Sequence, residues 1–282
     1  MSFTNRDGRK LTFRKLGRGP VLVCHPGGPG FSATYFGDLA ALWEQFTLIM
    51  LNPRGTGASE RPHDPRAYQI DDYVNDLEDL RRHLGLERML LLGHSHGGVV
   101  AMAYAAAFPA RVRRLVLAST LARFGPEQEK AMHLGMEKRS GQPWASDAMA
   151  ALEEEQAGNF VTDEELSPMV FRELPLYFAH FGTAEAGYLD TLRSEMINAD
   201  ALKLFNQEIF NTFDLRGSLP SITAQTLVIT GDEDFICGPI CAQEICSGIK
   251  SARMVIVGDA GHQLFVEQPQ AFHDEVATFL ES

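Results

Sequence analysis

The pentapeptide Gly93-His-Ser-His-Gly97 constrains this chain more than any other stretch, because of what flanks it. Before it, Met89-Leu-Leu-Leu92 is a short apolar run that reads as a buried strand. After it, Gly98 to Phe108 is rich in alanine and valine, is closed by Pro109, and reads as a helix. A serine on a tight strand-to-helix turn is forced into a strained backbone conformation. Side chains two residues away on either side would strike the strand and the helix, which explains glycine at 93 and 97. Such a turn presents the hydroxyl as a nucleophile.

The rest of the chain supplies a sheet for that turn. Ser2–Arg6 and Lys10–Lys15 flank Asp7-Gly8 and read as a β-hairpin. Val21–Cys24, Phe46–Leu51, Val112–Ser119, Gln225–Thr230 and Arg253–Val257 are further strand candidates. Ile70–Leu84 sets Val74, Leu77, Leu80 and Leu84 on one helical face, and Pro269–Leu280 ends the chain as a helix. Apolar strands alternating with helices predict an α/β fold with a mostly parallel central sheet and helices on both faces. The rhythm lapses between 122 and 215, where only helical patches occur: Pro126–Lys138, Ala145–Ala157, Asp163–Phe181 and Ala184–Asn211. The expected organisation is a core from residues 1–121 and 216–282, with an inserted helical cap at 122–215.

Composition excludes some partners. A formal net charge of −12 argues against nucleic acid and anionic membrane surfaces. No apolar run reaches membrane-spanning length, and the first eight residues lack the apolar region of a signal peptide, so a cytoplasmic location is expected. Cys24, Cys237, Cys241 and Cys246 have no histidine interleaved, so no zinc site and no other cofactor is expected. The expected partner is a small molecule or short peptide; the oligomeric state is left open.

A serine hydroxyl needs a base, and the base needs a group that holds its tautomer. In folds of this kind the chain order is serine, acid, histidine. Asp234 follows the Gln225–Thr230 strand and His262 follows the last strand, both at carboxyl ends of strands, where open α/β sheets form their sites. Asp232 and Glu233 compete for the acid's role. His94 and His96 flank the serine but are held by its turn, His25 precedes the glycine–proline loop, and His63, His83, His133, His180 and His273 read as surface or packing residues. A tetrahedral intermediate also needs two backbone N–H donors. His96, just after the serine, offers one; Gly28 offers the other, with Gly27 as the alternative, on a loop stiffened by Pro26 and Pro29.

Together, His25-Pro-Gly-Gly-Pro-Gly30, Asn52-Pro-Arg-Gly-Thr-Gly-Ala-Ser59, Gly93-His-Ser-His-Gly-Gly98, Gly231-x-x-Asp234 and Gly261-His262 resemble the α/β-hydrolase superfamily, most closely its prolyl aminopeptidase branch. The resemblance implies a serine hydrolase that cleaves an amide through an acyl-enzyme, with a carboxylesterase or lactonase as the alternative and a ligand-binding receptor of the same fold as a further one. Two positions depart from the branch's pattern: Pro26 separates His25 from the glycines, and Asn52 stands where aspartate is usual. The resemblance also implies that cap glutamates, often beside tryptophans, grip the substrate's amino terminus. Glu153, Glu154, Glu155, Glu173, Glu195 and Glu208 are the candidates here, Trp144 is the cap's only tryptophan, and spacing singles out none of the acids.

Overall fold

The computed structural model describes residues 1–282. Runs of valine, isoleucine and leucine too apolar for one-sided exposure become the interior of one sheet. Its strands are β1 (Ser2–Thr4), β2 (Lys10–Leu16), β3 (Val21–His25), β4 (Thr47–Asn52), β5 (Met89–His94), β6 (Val112–Ala118), β7 (Gln225–Gly231) and β8 (Ala252–Val257), in the spatial order β1-β2-β4-β3-β5-β6-β7-β8. β1 and β2 pair antiparallel, as does β2 with β4, and every pair from β4 through β8 is parallel. β5, which carries the serine turn, lies between β3 and β6 and is buried along its whole length.

The pleat sends alternate residues of β5 into two separate cores. Leu91 joins the cluster covered by α1 (Ile70–His83), α2 (His96–Ala107) and α8 (Pro239–Gly248). Leu90 and Leu92 join the cluster covered by α10 (Pro269–Glu281) and the turn at Ala33–Phe36. Each side chain so buried is worth about 1.5–3 kcal/mol, so both faces of the sheet hold the turn at the end of β5 in place.

Between β6 and β7 the chain forms α3 (Pro126–Arg139), α4 (Ala145–Gln156), α5 (Asp163–Glu173), α6 (Thr183–Thr191) and α7 (Ala199–Leu204), with no strand of the sheet among them. Its two ends meet in the isolated bridge Arg123–Asp214. The structure breaks two helices that the sequence pattern runs together. The patch expected at 163–181 ends at Glu173, and Pro175 enters a tight 3-10 turn, Leu174–Tyr177. The patch expected at 184–211 is interrupted after Thr191. Asn198, fully buried, accepts the Ala201 N–H as cap of α7 while its Nδ2 donates to Gly55 O at 2.8 Å. A short helix, α9 (Leu264–Glu267), precedes α10. No helix is long and apolar enough to cross a membrane.

Candidate active site

Ser95 sits at φ 56° and ψ −124°, a conformation that costs a non-glycine residue about 1–3 kcal/mol and persists only where its surroundings enforce it. They do. A Cβ at Gly93 would lie 2.2 Å from Gly97 O, and one at Gly97 would lie 2.2 Å from His25 O. Ser95 N–H donates to Ala118 O at 3.0 Å, fastening the turn to the neighbouring strand.

Asp234 and His262 come together after β7 and β8. His262 Nδ1 lies 2.9 Å from Asp234 Oδ2, and both residues are buried. An ionised carboxylate can only accept, so Nδ1 carries the hydrogen and a neutral ring keeps Nε2 as acceptor. Asp234 Oδ1 accepts the amides of Ile236 (3.1 Å) and Cys237 (2.9 Å). Burial alone would raise this carboxyl's pKa; the His262 ring and the two amides outweigh it and hold the group below the usual aspartate range. Of the competing acids, Glu233 pairs with Lys138 and Asp232 Oδ1 accepts Ala260 N–H.

His94 and His96 differ from His262 in what they face. His94 Nε2 lies 2.9 Å from His262 O, a carbonyl that can only accept, so Nε2 holds the hydrogen. Its Nδ1 then accepts from Tyr35 Oη at 2.8 Å, and Tyr35 Oη in turn accepts Gly27 N–H at 2.7 Å. This chain of hydrogen bonds links the glycine–proline loop to the His262 backbone. Burial lowers the pKa of His94 to about 3 and that of His96 to about 3, so both rings stay neutral. The His96 ring packs edge-on against Phe205 and Tyr73. His25 Nδ1 faces Pro26 O at 2.8 Å.

Gly27 and Gly28 arch over the serine: a Cβ at Gly27 would stand 2.7 Å from Ser95 Cβ, and Gly28 has φ 104°. Because Tyr35 takes the Gly27 N–H, the Gly28 amide is the one left in this pair. The His96 amide opens α2, a position with no partner inside its own helix.

Ser95, His96, Gly27, Gly28 and His262 line one cavity of about 460 Å³, whose far wall is made by the helices between β6 and β7. Two of the six glutamates face it, Glu155 on α4 and Glu173 on α5, both buried. Asn206 Nδ2 donates to Glu155 Oε1 at 2.7 Å, whereas Glu173 Oε2 has no partner within the chain. Burial pushes both carboxyls up, and the charge of Glu155 pushes Glu173 further. Glu153, Glu154 and Glu208 are exposed, and Glu195 accepts from the Ser32 hydroxyl. Helical periodicity held the signal that separates them. Glu155 continues the buried stripe Ala148–Ala151–Leu152, and Glu173 continues Leu166–Val170. An acid in an apolar stripe faces the interior. Trp144 packs on Phe181 and does not reach the cavity, whereas His133, read as a surface residue, lies at its exposed margin.

Residues 20–269 match the family described as alpha/beta hydrolase fold. The chain is 28% identical over 287 residues to proline iminopeptidase PfmaB of Pestalotiopsis fici, an alignment covering 100% of this chain and 99% of that protein. It is 25% identical over 292 residues to a proline iminopeptidase of Heyndrickxia coagulans, covering 99% and 98%. Among solved structures, the enol-lactonase from Burkholderia xenovorans LB400 superposes with a TM-score of 0.73 at 26% identity, over 100% of both chains.

Proposed function

The chain belongs to the alpha/beta hydrolase fold family, and within it we propose a serine hydrolase that removes an apolar amino-terminal residue from short peptides or amides. In this reading Ser95 Oγ attacks the substrate carbonyl while His262 Nε2 takes its proton. Asp234 holds the opposite ring hydrogen and stabilises the imidazolium. The N–H groups of His96 and Gly28 receive the oxyanion. Collapse of the tetrahedral intermediate passes the proton from His262 to the leaving amine and leaves the acyl group on Ser95. A water molecule, deprotonated by His262, then releases the acid and restores the serine. The helices at 122–215 act as a cap that excludes bulk water and sets specificity.

The observation that carries the peptide reading is the buried Glu155–Glu173 pair on the wall facing the serine. Two adjacent buried carboxyls repel and hold protons; a substrate ammonium supplies the missing charge and up to three donors. An ester with an apolar acyl chain offers neither. Both relatives above are named as proline iminopeptidases, which supports the same choice. The enol-lactonase neighbour favours the second reading, a lactone or ester substrate for the same serine.

The test compares proline β-naphthylamide, its N-acetyl derivative and p-nitrophenyl esters as substrates. The expected result is turnover of the free amine, loss of it on acetylation, and no turnover by Ser95→Ala. Equal rates for the free and acetylated amides overturn the peptidase reading, and brisk cleavage of esters alone favours the lactonase or esterase. Labelling of Ser95 by a fluorophosphonate without repeated turnover favours a ligand-binding receptor.

A further inference from the structure

Two charged side chains with no part in that chemistry, one buried and one half-buried, end on the peptide groups next to Asp234 and His262. Arg139, near the end of α3, is 5% exposed and makes no ion pair. Its guanidinium donates instead to main-chain carbonyls: Glu233 O at 2.6 Å, Phe178 O at 3.1 and 3.2 Å, and Gly135 O at 2.9 Å. Glu267, on α9, mirrors it with the opposite charge. Oε1 accepts Ala179 N–H at 2.6 Å and Oε2 accepts Gly261 N–H at 2.8 Å.

Each side chain therefore spans the same two places. One end holds the residue immediately before a member of the Asp234–His262 pair, and the other holds the short segment from Tyr177 to Ala179 in the cap. The backbone adds a third tie, His262 N–H to Tyr177 O at 2.8 Å. Two glycines permit the approach. A Cβ on Gly261 would lie 2.7 Å from both Ala179 N and Tyr177 O, and a Cβ on Gly135 would lie 2.6 Å from Phe235 Cβ, the residue after Asp234.

A buried arginine without a carboxylate is costly to retain, and a hydrophobic residue of similar size would pack a helix end at lower cost. Its planar fork, however, reaches several carbonyls at once in a fixed geometry, which a lysine cannot reproduce. We propose that Arg139 and Glu267 are positioning residues that fasten the acid loop and the base loop to the Tyr177–Ala179 segment, making the cap part of the scaffold that aligns Asp234 and His262. Glu173 lies four residues before Tyr177, joined to it only by the tight turn at Leu174–Tyr177. The wall that holds Glu173 and the segment that holds the pair are thus one continuous piece of chain.

The inference rests on the serine-hydrolase reading, and the experiment separates the two. Wild type, Arg139→Met, Arg139→Lys and Glu267→Gln are compared for thermal midpoint, for kcat and KM on proline β-naphthylamide, and for the rate of Ser95 labelling by a fluorophosphonate. Labelling needs an activated serine but no amino-terminal recognition. Misalignment of about an ångström costs on the order of a hundredfold in rate, so Arg139→Met and Glu267→Gln are expected to lower kcat and labelling by about tenfold or more, with KM little changed. Arg139→Lys, able to reach one carbonyl rather than three, is expected to recover part of the loss. Labelling and kcat within about twofold of wild type in folded Glu267→Gln overturn the proposal, since a merely structural tie would lower the thermal midpoint and leave the rate per folded molecule intact. Glu267→Gln changes only the chemistry of one carboxylate oxygen and decides the matter where Arg139→Met fails to fold. Failure of wild type to label, or turnover surviving Ser95→Ala, would instead refute the serine-hydrolase reading itself.

Discussion

On the core side of the cavity, Asp234 Oδ2 takes a hydrogen bond from His262 at 2.9 Å and Oδ1 takes two backbone amides. On the opposite side, Glu155 takes one from Asn206 and Glu173 Oε2 takes none. All three carboxyls are buried, yet the aspartate is driven below its usual pKa and the glutamates above theirs. The difference separates two uses of a buried carboxyl. Asp234 is completed by its own chain, so its charge is fixed before any ligand arrives. The glutamates are left incomplete by the chain, and in the proposed function a substrate ammonium completes them. If that division holds, damage to Asp234 or its partners should abolish chemistry on every substrate, and loss of the Glu155 or Glu173 carboxylate should abolish recognition of one class.

The largest expected effects lie on the core wall. Ser95→Ala or His262→Ala should lower kcat by about 10⁴-fold or more on amide and ester substrates alike. Asp234→Asn should lose about 10³–10⁴-fold, because an amide in its place favours the wrong histidine tautomer. Steady-state kinetics with active-site titration reads all three. An Asp234→Asn protein within tenfold of wild type would show that the pair is structural, and the contrast between the walls would collapse.

Glu173→Gln comes next. A charge-assisted hydrogen bond is worth about 1.5–3 kcal/mol, so its loss should cost about 10–100-fold in kcat/KM for proline β-naphthylamide. Fluorophosphonate labelling should be unchanged. A parallel fall in labelling would mean that the Glu173 carboxylate also sets the nucleophile, erasing the distinction. Because the ionised pair is the form that grips a cation, KM for the free-amine substrate should also rise as pH falls, through protonation of these two carboxyls.

A smaller effect tests how the core wall is held together. Tyr35→Phe removes the hydroxyl that accepts Gly27 N–H and donates to His94 Nδ1. It leaves a buried amide and a buried ring nitrogen unpaired, a loss of about 1–3 kcal/mol per group in stability. Since Gly27 abuts Ser95 Cβ, kcat should also fall, by about tenfold, with KM unaffected.

The two walls were also unequally legible. The serine turn, Asp234 and His262 could be read because steric and topological rules tie them to sequence: glycine at 93 and 97, and loops that follow strands in a required order. The far wall obeys no such rule, because any helix facing the serine can supply its lining. Its acids were visible as a set of six, and the apolar stripes that single out Glu155 and Glu173 compete with ordinary amphipathic patterning. Helix boundaries there depart from the sequence pattern for a related reason. Asn198 caps the start of α7 and is held there by bonds to Gly55 and Tyr68, residues more than a hundred positions away. Tyr35 and His94 were hidden too, since their role lies in a hydrogen-bond chain across three loops.

The smallest expected effect concerns stability and carries the sign that most cleanly distinguishes the walls. A carboxyl whose pKa is raised on folding binds more protons in the native than in the unfolded state as pH climbs above the ordinary glutamate value. Stability therefore falls with rising pH through that window. Glu173 is such a group, through burial and the neighbouring Glu155 charge. Glu173→Gln removes the liability, so its thermal midpoint should exceed that of wild type at pH 8, by about 2–4 °C for each kcal/mol recovered, and the gain should vanish near pH 4. Asp234 runs the other way. Its lowered pKa adds stability above the ordinary aspartate value that is lost as pH falls through the folded one, so Asp234→Asn should be the less stable protein at pH 8. Opposite signs from two buried acids on facing walls of one cavity are what a preassembled catalytic wall and an unfinished recognition wall require. Melting curves at the two pH values, with no substrate present, would expose a shared sign at once.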